Sequence, residues 1–96
     1  MNNKYFESVN PMHTIIFNDT VIETYHLTAG QGITRTASKY DIGVICHSGK
    51  ISVRKENIEV EMDKNSQPVI LTAKEWHQIE VLEPGTVFDN ITKREY

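Results

Sequence analysis

The chain has 96 residues, a length that suits one compact domain rather than two. Hydrophobic residues make up 39% of the chain and charged residues 24%, a globular composition that excludes extensive disorder. The net charge of −3 lacks the basic excess of nucleic-acid-binding proteins, and the single cysteine excludes a disulfide framework or a cysteine-cluster zinc site.

No apolar run approaches the length of a membrane span, and no signal-peptide core follows the polar N-terminus. We therefore expect a cytoplasmic protein that binds neither membranes nor nucleic acid. One domain over residues 1–96 is predicted, with an irregular lead-in over residues 1–12.

Short runs rich in β-branched and aromatic residues recur along the chain, and each ends at a turn signal. The pattern predicts nine strands, which are His13–Phe17, Thr20–Leu27, Gly32–Ser38, Asp41–His47, Lys50–Arg54, Asn57–Met62, Pro68–Thr72, His77–Leu82 and Thr86–Ile91. Nine short strands without a convincing helix predict an all-β fold, either a small antiparallel β-barrel or a double-sheet sandwich.

The segment before the last predicted turn is open to two interpretations. Trp76, Ile79 and Leu82 have helical spacing, whereas a strand would place His77, Ile79 and Val81 on one face. The surrounding β pattern favours the strand. By strand parity counted from Gly49, Cys46 is expected to face inward with Val44 and Ile42.

Two stretches resemble the sequence motifs of the cupins. Gly30 and Gly49 have the separation of the first and last glycines of the first cupin motif, which carries a His-any-His pair and a glutamate between them. The stretch from Leu71 through His77 to Phe88 is similar to the second motif, in which a turn presents a histidine between two strands. Residues 20–91 thus resemble a small single-domain cupin. The resemblance implies a double-stranded β-helix, also called a cupin-like jelly roll, and a homodimer.

Most metal-ligand positions implied by the resemblance are substituted. The His-any-His pair falls on Thr36 and Ser38, the glutamate falls on Ile42, and only His77 matches a ligand position. A catalytic metal ion needs at least three protein ligands, so we expect no metal site and no other cofactor.

His77 is the candidate for a catalytic acid or base, because the resemblance places a histidine at this position in the interior and an imidazole titrates near neutral pH. The alternative is a structural histidine that is hydrogen-bonded to a hydroxyl or the backbone. Cys46 could be a nucleophile beside a histidine, although a buried core cysteine is the commoner case. Trp76 could stack on a sugar or base, or it could pack in the core or a dimer interface.

Thr36, Ser38 and Tyr40 alternate along the third predicted strand and its continuation, so they are expected to share the inward face and to line a polar ligand pocket. Alternatively, their hydroxyls face solvent. If the register differs by one residue, Arg35 and Lys39 enter the pocket instead and favour an anionic ligand.

Three functions fit these residues. The first is a metal-independent, non-catalytic cupin-like protein that binds a small polar molecule or a protein partner. The second is a small metal-free cupin enzyme that acts on a sugar, nucleoside or carbonyl compound with His77 as acid or base. The third is a structural or regulatory homodimer.

Overall fold

The computed structural model describes residues 9–35 and 38–94. The secondary structure of the described residues consists of nine strands. They are β1 His13–Phe17, β2 Thr20–Leu27, β3 Gly32–Arg35, β4 Ile42–Ser48, β5 Ile51–Arg54, β6 Glu59–Met62, β7 Val69–Leu71, β8 His77–Val81 and β9 Thr86–Lys93.

The strands form two antiparallel sheets. The five-stranded sheet has the order β1-β2-β9-β4-β7 and the four-stranded sheet has the order β3-β8-β5-β6. The all-β prediction is confirmed. The closed barrel is not, because the two sheets share no hydrogen-bonded strand pair among the described residues, and the architecture is a sandwich.

Tight turns set the register of the sandwich. Phe17 pairs with Thr20 across a two-residue loop in which Asn18 has a φ of 55°, a conformation that asparagine tolerates. The turn that joins β8 to β9 carries Gly85 at a φ of 71°, as the Pro-Gly pair of a type II turn requires. Both reversals follow directly from the residues at their corners.

One apolar core joins the inner faces of both sheets. The alternation of β4 turns Ile42, Val44 and Cys46 inward, and that of β8 does the same for Ile79 and Val81, so the predicted inward face of each strand is confirmed. The segment with helical spacing is therefore a strand. Further core side chains are Tyr25, Leu27, Ile51, Val53, Met62, Leu71 and Phe88.

The seven strands β3 to β9 differ from their predicted bounds by one to three residues. β3 ends at Arg35 rather than at Ser38, with residues 36–37 outside the described part, and β9 continues two residues past its predicted end. Residues 9–12 of the predicted lead-in carry no strand, and residues 1–8 also lie outside the described part. In the described ranges, no helix is long and apolar enough to cross a membrane.

Candidate functional site at one end of the sandwich interior

His77 enters the interior where the chain returns from β7 to β8. The connecting turn is held from two sides, because the Ala73 amide donates to Asp41 Oδ1 at 2.8 Å and the Lys74 amide donates to the Ser38 carbonyl oxygen at 2.9 Å. β8 then begins with an imidazole that is 2% exposed. The predicted inward orientation of His77 is therefore observed.

Asn90 occupies an inward position on the central strand of the five-stranded sheet. It lies opposite Glu23 on β2 and opposite Val44 on β4, and its side chain is 1% exposed. Neither its amide oxygen nor its amide nitrogen has a hydrogen-bond partner among the described residues. A buried polar group without a partner costs about 1–3 kcal/mol, so this amide requires an explanation.

An aromatic pair lies beside the row that carries Asn90. Tyr25 stacks on Phe88 with ring centroids 5.1 Å apart and an interplanar angle of 14°. The Tyr25 hydroxyl lies 3.5 Å from Glu23 Oε1, the long limit of a hydrogen bond, and so points toward the row that carries Asn90.

Strand order places His77 at the same end of the sandwich as Asn90. The row of Glu23 and Asn90 lies two residues along β9 from Phe88, toward the end where β7 finishes and the chain turns back into β8. We call the inward set of Glu23, His77 and Asn90 the polar end.

The register of β3 bears on the predicted ligand residues Thr36 and Ser38. β3 pairs with β8 so that Ile33 lies opposite Ile79 and Arg35 lies opposite His77, which is the register shifted by one residue from the expected one. Ser38 lies beyond the strand, and Thr36 falls outside the described residues. The shared inward face expected of Thr36 and Ser38 therefore stays a prediction.

Tyr40 lines an open surface groove of about 520 Å³ instead of the interior. The Nζ atoms of Lys39 and Lys93 lie 5.5 and 5.4 Å from the centre of its ring, within reach of cation–π interactions. Asp41 and Thr92 also line this groove. Tyr40 was expected to line an interior pocket with Thr36 and Ser38. Its ring lies instead between two lysine ammonium groups in a surface groove.

Cys46 is a core residue on β4. Its side chain is buried opposite Phe88, and the thiol donates a weak hydrogen bond to the Ser48 carbonyl oxygen at 3.4 Å. Burial raises the pKa of the thiol above its ordinary value of 9.0, with smaller contributions that include the charges of Asp63 and Glu83. A raised pKa disfavours the thiolate, so these surroundings do not activate a nucleophile.

The Cys46 thiol is therefore expected to react with a disulfide reagent at pH 8 at least about 100-fold more slowly in the native protein than in concentrated guanidinium chloride. The rate follows from absorbance of the released thiolate. Equal rates in the two conditions would contradict the buried, protonated state of this thiol.

Trp76 and His47 lie outside the polar end. Trp76 is half-buried and directly precedes β8. His47 faces outward, and its Nε2 lies 2.8 Å from Asp89 Oδ2, while Asp89 Oδ1 accepts a bond from the Thr24 hydroxyl at 2.7 Å. The remaining histidines, His13 and His26, are exposed.

The donor set does not fit the metal ion that the cupin resemblance implies. Residues 9–35 and 38–94 contain no group of three His, Cys, Asp or Glu side chains close enough to share an ion. The residue opposite His77 in the β3–β8 register is an arginine, a residue type that does not ligate metals. The described side chains around His77 therefore do not make a coordination site of the cupin type.

Sequence reasoning missed Glu23 and Asn90. Each lies two residues from a buried aromatic, Tyr25 on β2 and Phe88 on β9, so strand parity alone would have placed both inward. A polar residue in an alternating strand more often faces solvent, so residue type alone predicts that both residues face outward.

Solved structures similar to this chain share its architecture. KdgF from Halomonas sp. has a TM-score of 0.76 at 12% identity over 88% of this chain and 77% of its own. An uncharacterized conserved protein with a double-stranded β-helix domain from Klebsiella pneumoniae has a TM-score of 0.70 at 17% identity over 93% and 83%. A cupin protein from Bacteroides fragilis has a TM-score of 0.70 at 16% identity over 98% and 86%.

At these identities the likeness establishes the fold alone. No family model matches the sequence, and no curated protein matches it. The similar structures include cupins and a double-stranded β-helix protein, in agreement with the two antiparallel sheets of this chain. The chain therefore has the cupin fold, a double-stranded β-helix built from two antiparallel sheets.

Proposed function

We propose that this cupin-fold protein binds a small polar molecule at the polar end of its interior, without a metal ion and without chemistry of its own. The observation that carries the proposal is the Asn90 amide, which is buried and has no partner among the described residues. A ligand that accepts from the amide nitrogen and donates to the amide oxygen would remove that cost.

The groups around Asn90 suit a ligand rich in hydroxyl or carbonyl groups. Glu23 lies opposite Asn90 on β2, the Tyr25 hydroxyl lies beside the Glu23 carboxylate, and the buried His77 imidazole lies at the same end of the sandwich. A few polar groups above an apolar floor are typical of sites for small molecules.

Replacing Asn90 with leucine is expected to abolish ligand binding without lowering the melting temperature of the free protein. Leucine keeps the branched shape and removes the buried amide, and exchanging an unsatisfied polar group for an apolar one is neutral or stabilising. Thermal shift measures both effects, with a panel of aldoses, nucleosides and 2-oxo acids at about 5 mM. His47→Ala, which changes an exposed histidine, is the matched control.

A panel member that stabilises the wild type and His47→Ala, but neither Asn90→Leu nor His77→Ala, would support the proposal. A melting temperature several degrees lower for free Asn90→Leu would show instead that a structural water holds the amide. Absence of any stabilising panel member, together with that loss, would overturn the binding function.

The alternative function, an enzyme, uses the same residues. Product analysis distinguishes it from non-catalytic binding. His77 would act as general acid or base on a bound sugar, nucleoside or carbonyl compound. NMR spectra of the same panel would then show turnover in the wild type and none in His77→Ala, with both proteins folded. A panel member that binds but remains unchanged over hours favours the non-catalytic function.

A further inference from the structure

The surface groove that contains Tyr40 holds two ammonium groups beside one aromatic ring. The Nζ atoms of Lys39 and Lys93 lie 5.5 and 5.4 Å from the ring centre, so they are no more than about 11 Å apart. Neither ammonium group has an ion-pair partner among the described residues. In a chain with a net charge of −3, this groove is therefore a local region of positive charge.

The segment that carries Tyr40 is held in place through the next residue, Asp41. The Asp41 carboxylate accepts a hydrogen bond from the Ala73 amide at 2.8 Å, and the Asp41 carbonyl oxygen accepts one from the Thr92 hydroxyl at 2.9 Å. Both partners also line the groove. The groove is therefore built on backbone that is fixed to the β7–β8 turn and to β9.

The Tyr40 ring reduces the entropy that the two lysines lose when a ligand binds. A free surface lysine loses rotamer freedom when a ligand orders it, which makes most surface lysines weak binding groups. Here cation–π attraction already holds both ammonium groups near the half-buried ring. Part of that entropy loss has therefore occurred in the free protein. The two ammonium groups also repel each other, and an anion between them would replace that repulsion with attraction.

We propose that this groove binds a compact dianion, either a phosphate group or a pair of carboxylates on a small molecule, between Lys39 and Lys93, which the Tyr40 ring holds in place. Each ammonium group donates charge-assisted hydrogen bonds to an anionic oxygen. The hydroxyls of Thr20 and Tyr40 line the same groove and donate to further ligand oxygens. The volume of about 520 Å³ is in the range of small-molecule sites.

The charge balance of the groove makes both lysines necessary. Asp41 is the one acidic residue among the described residues that line it, so the two lysines give the groove an excess of one positive charge. Without either ammonium group, the Asp41 carboxylate offsets the remaining cation. We therefore expect Lys39→Gln and Lys93→Gln each to weaken binding of the dianion at least about 10-fold.

The test is an NMR titration of the full chain at about pH 7.5, where inorganic phosphate and succinate are both mostly dianions. At constant ionic strength, the backbone amide signals of Tyr40 and Lys93 should shift and saturate, with a dissociation constant on the order of 1 mM. Saturation by phosphate alone assigns a phosphate group to the ligand, and saturation by succinate alone assigns a dicarboxylate. Saturation by both supports the shared dianion chemistry.

Lys64→Gln is the matched control for the lysine variants. Lys64 is also an exposed lysine, and it lies outside this groove in the turn after β6. The substitution changes the net charge of the protein by the same amount, so Lys64→Gln should bind both anions like the wild type. The amide signals of the sandwich core show that each variant is folded.

Substitutions of Tyr40 test the contribution of the ring. Tyr40→Phe keeps the aromatic face, so it should bind the dianion within about 3-fold of the wild type. Tyr40→Leu removes the cation–π attraction and leaves both lysines, so it should weaken binding at least about 5-fold. Equal binding by Tyr40→Leu and the wild type would contradict the proposal that the ring holds the lysines in place.

Three further results would overturn the proposed site. The first is the absence of saturable shifts at Tyr40 and Lys93 with either anion up to about 50 mM. The second is the same set of shifts with sodium chloride at equal ionic strength, which would indicate general screening of charge. The third is equal weakening by Lys64→Gln and Lys39→Gln, because binding would then depend on net charge rather than on this groove.

Discussion

Gly49→Ala lowers the free energy of unfolding by about 3–5 kcal/mol, the largest loss that we expect from a single methyl group in this protein. Gly49 has a φ of 75°, a conformation that costs alanine about 1–2 kcal/mol. An added Cβ would also lie 2.8 Å from the Cα of Thr86, which is backbone and cannot rotate away.

The clash displaces Thr86, whose hydroxyl is hydrogen-bonded to two neighbouring turns. The Thr86 hydroxyl donates to the Glu83 carbonyl oxygen at 2.7 Å and accepts from the Lys50 amide at 3.3 Å, and the side chain is fully buried. Displacing Thr86 therefore disturbs both the turn before β9 and the turn that leads into β5. Urea unfolding followed by circular dichroism measures the loss.

Gly85→Ala is the matched control for that experiment. Gly85 has nearly the same φ, 71°, but an added Cβ there meets nothing within 4 Å. Only the backbone penalty remains, so the expected loss is about 1–2 kcal/mol. Equal losses in the two variants would mean that the approach of Gly49 to Thr86 is not tight.

Phe88→Ala is the second substitution with a large expected effect, a loss of about 3–5 kcal/mol. Phe88 is fully buried and stacks on Tyr25, so its removal leaves a cavity at the centre of the interior and breaks an aromatic pair. The melting temperature should fall by roughly 15–30 °C in a domain of this size, as measured by calorimetry.

Phe88→Leu distinguishes the stability lost through the cavity from the stability lost with the aromatic contact. Leucine fills much of the space, so the expected loss is about 1–2 kcal/mol. If Phe88→Ala cost no more than Phe88→Leu, the interior around Tyr25 would have to collapse freely, which contradicts close packing there.

The strands can be predicted from the sequence because their signals are local. β1 and β2 begin and end at their predicted residues, since a two-residue turn and a run of β-branched residues fix both ends. β8 is separable from a helix only through its neighbours, because the spacing of Trp76, Ile79 and Leu82 satisfies a helix equally well.

The site is harder to predict because it depends on which strands meet. Alternation predicts Tyr40 inside only if it continues to that residue, well past the described part of β3, which ends at Arg35. Asn90 gives the same local signal as a solvent-facing residue, and parity counted from Phe88 is the one signal that places it inside. The inward position of His77 is predictable because the motif resemblance places a histidine in the interior there and strand alternation groups it with Ile79 and Val81.

Tyr25 and Phe88 stack beside the row that carries Glu23 and Asn90. The buried core consists mainly of aliphatic side chains from both sheets, and the proposed recognition uses none of them. Under that proposal, substitutions at Glu23, His77 and Asn90 would change ligand preference and leave the aliphatic core in place. One scaffold would then acquire new ligands without repacking its interior.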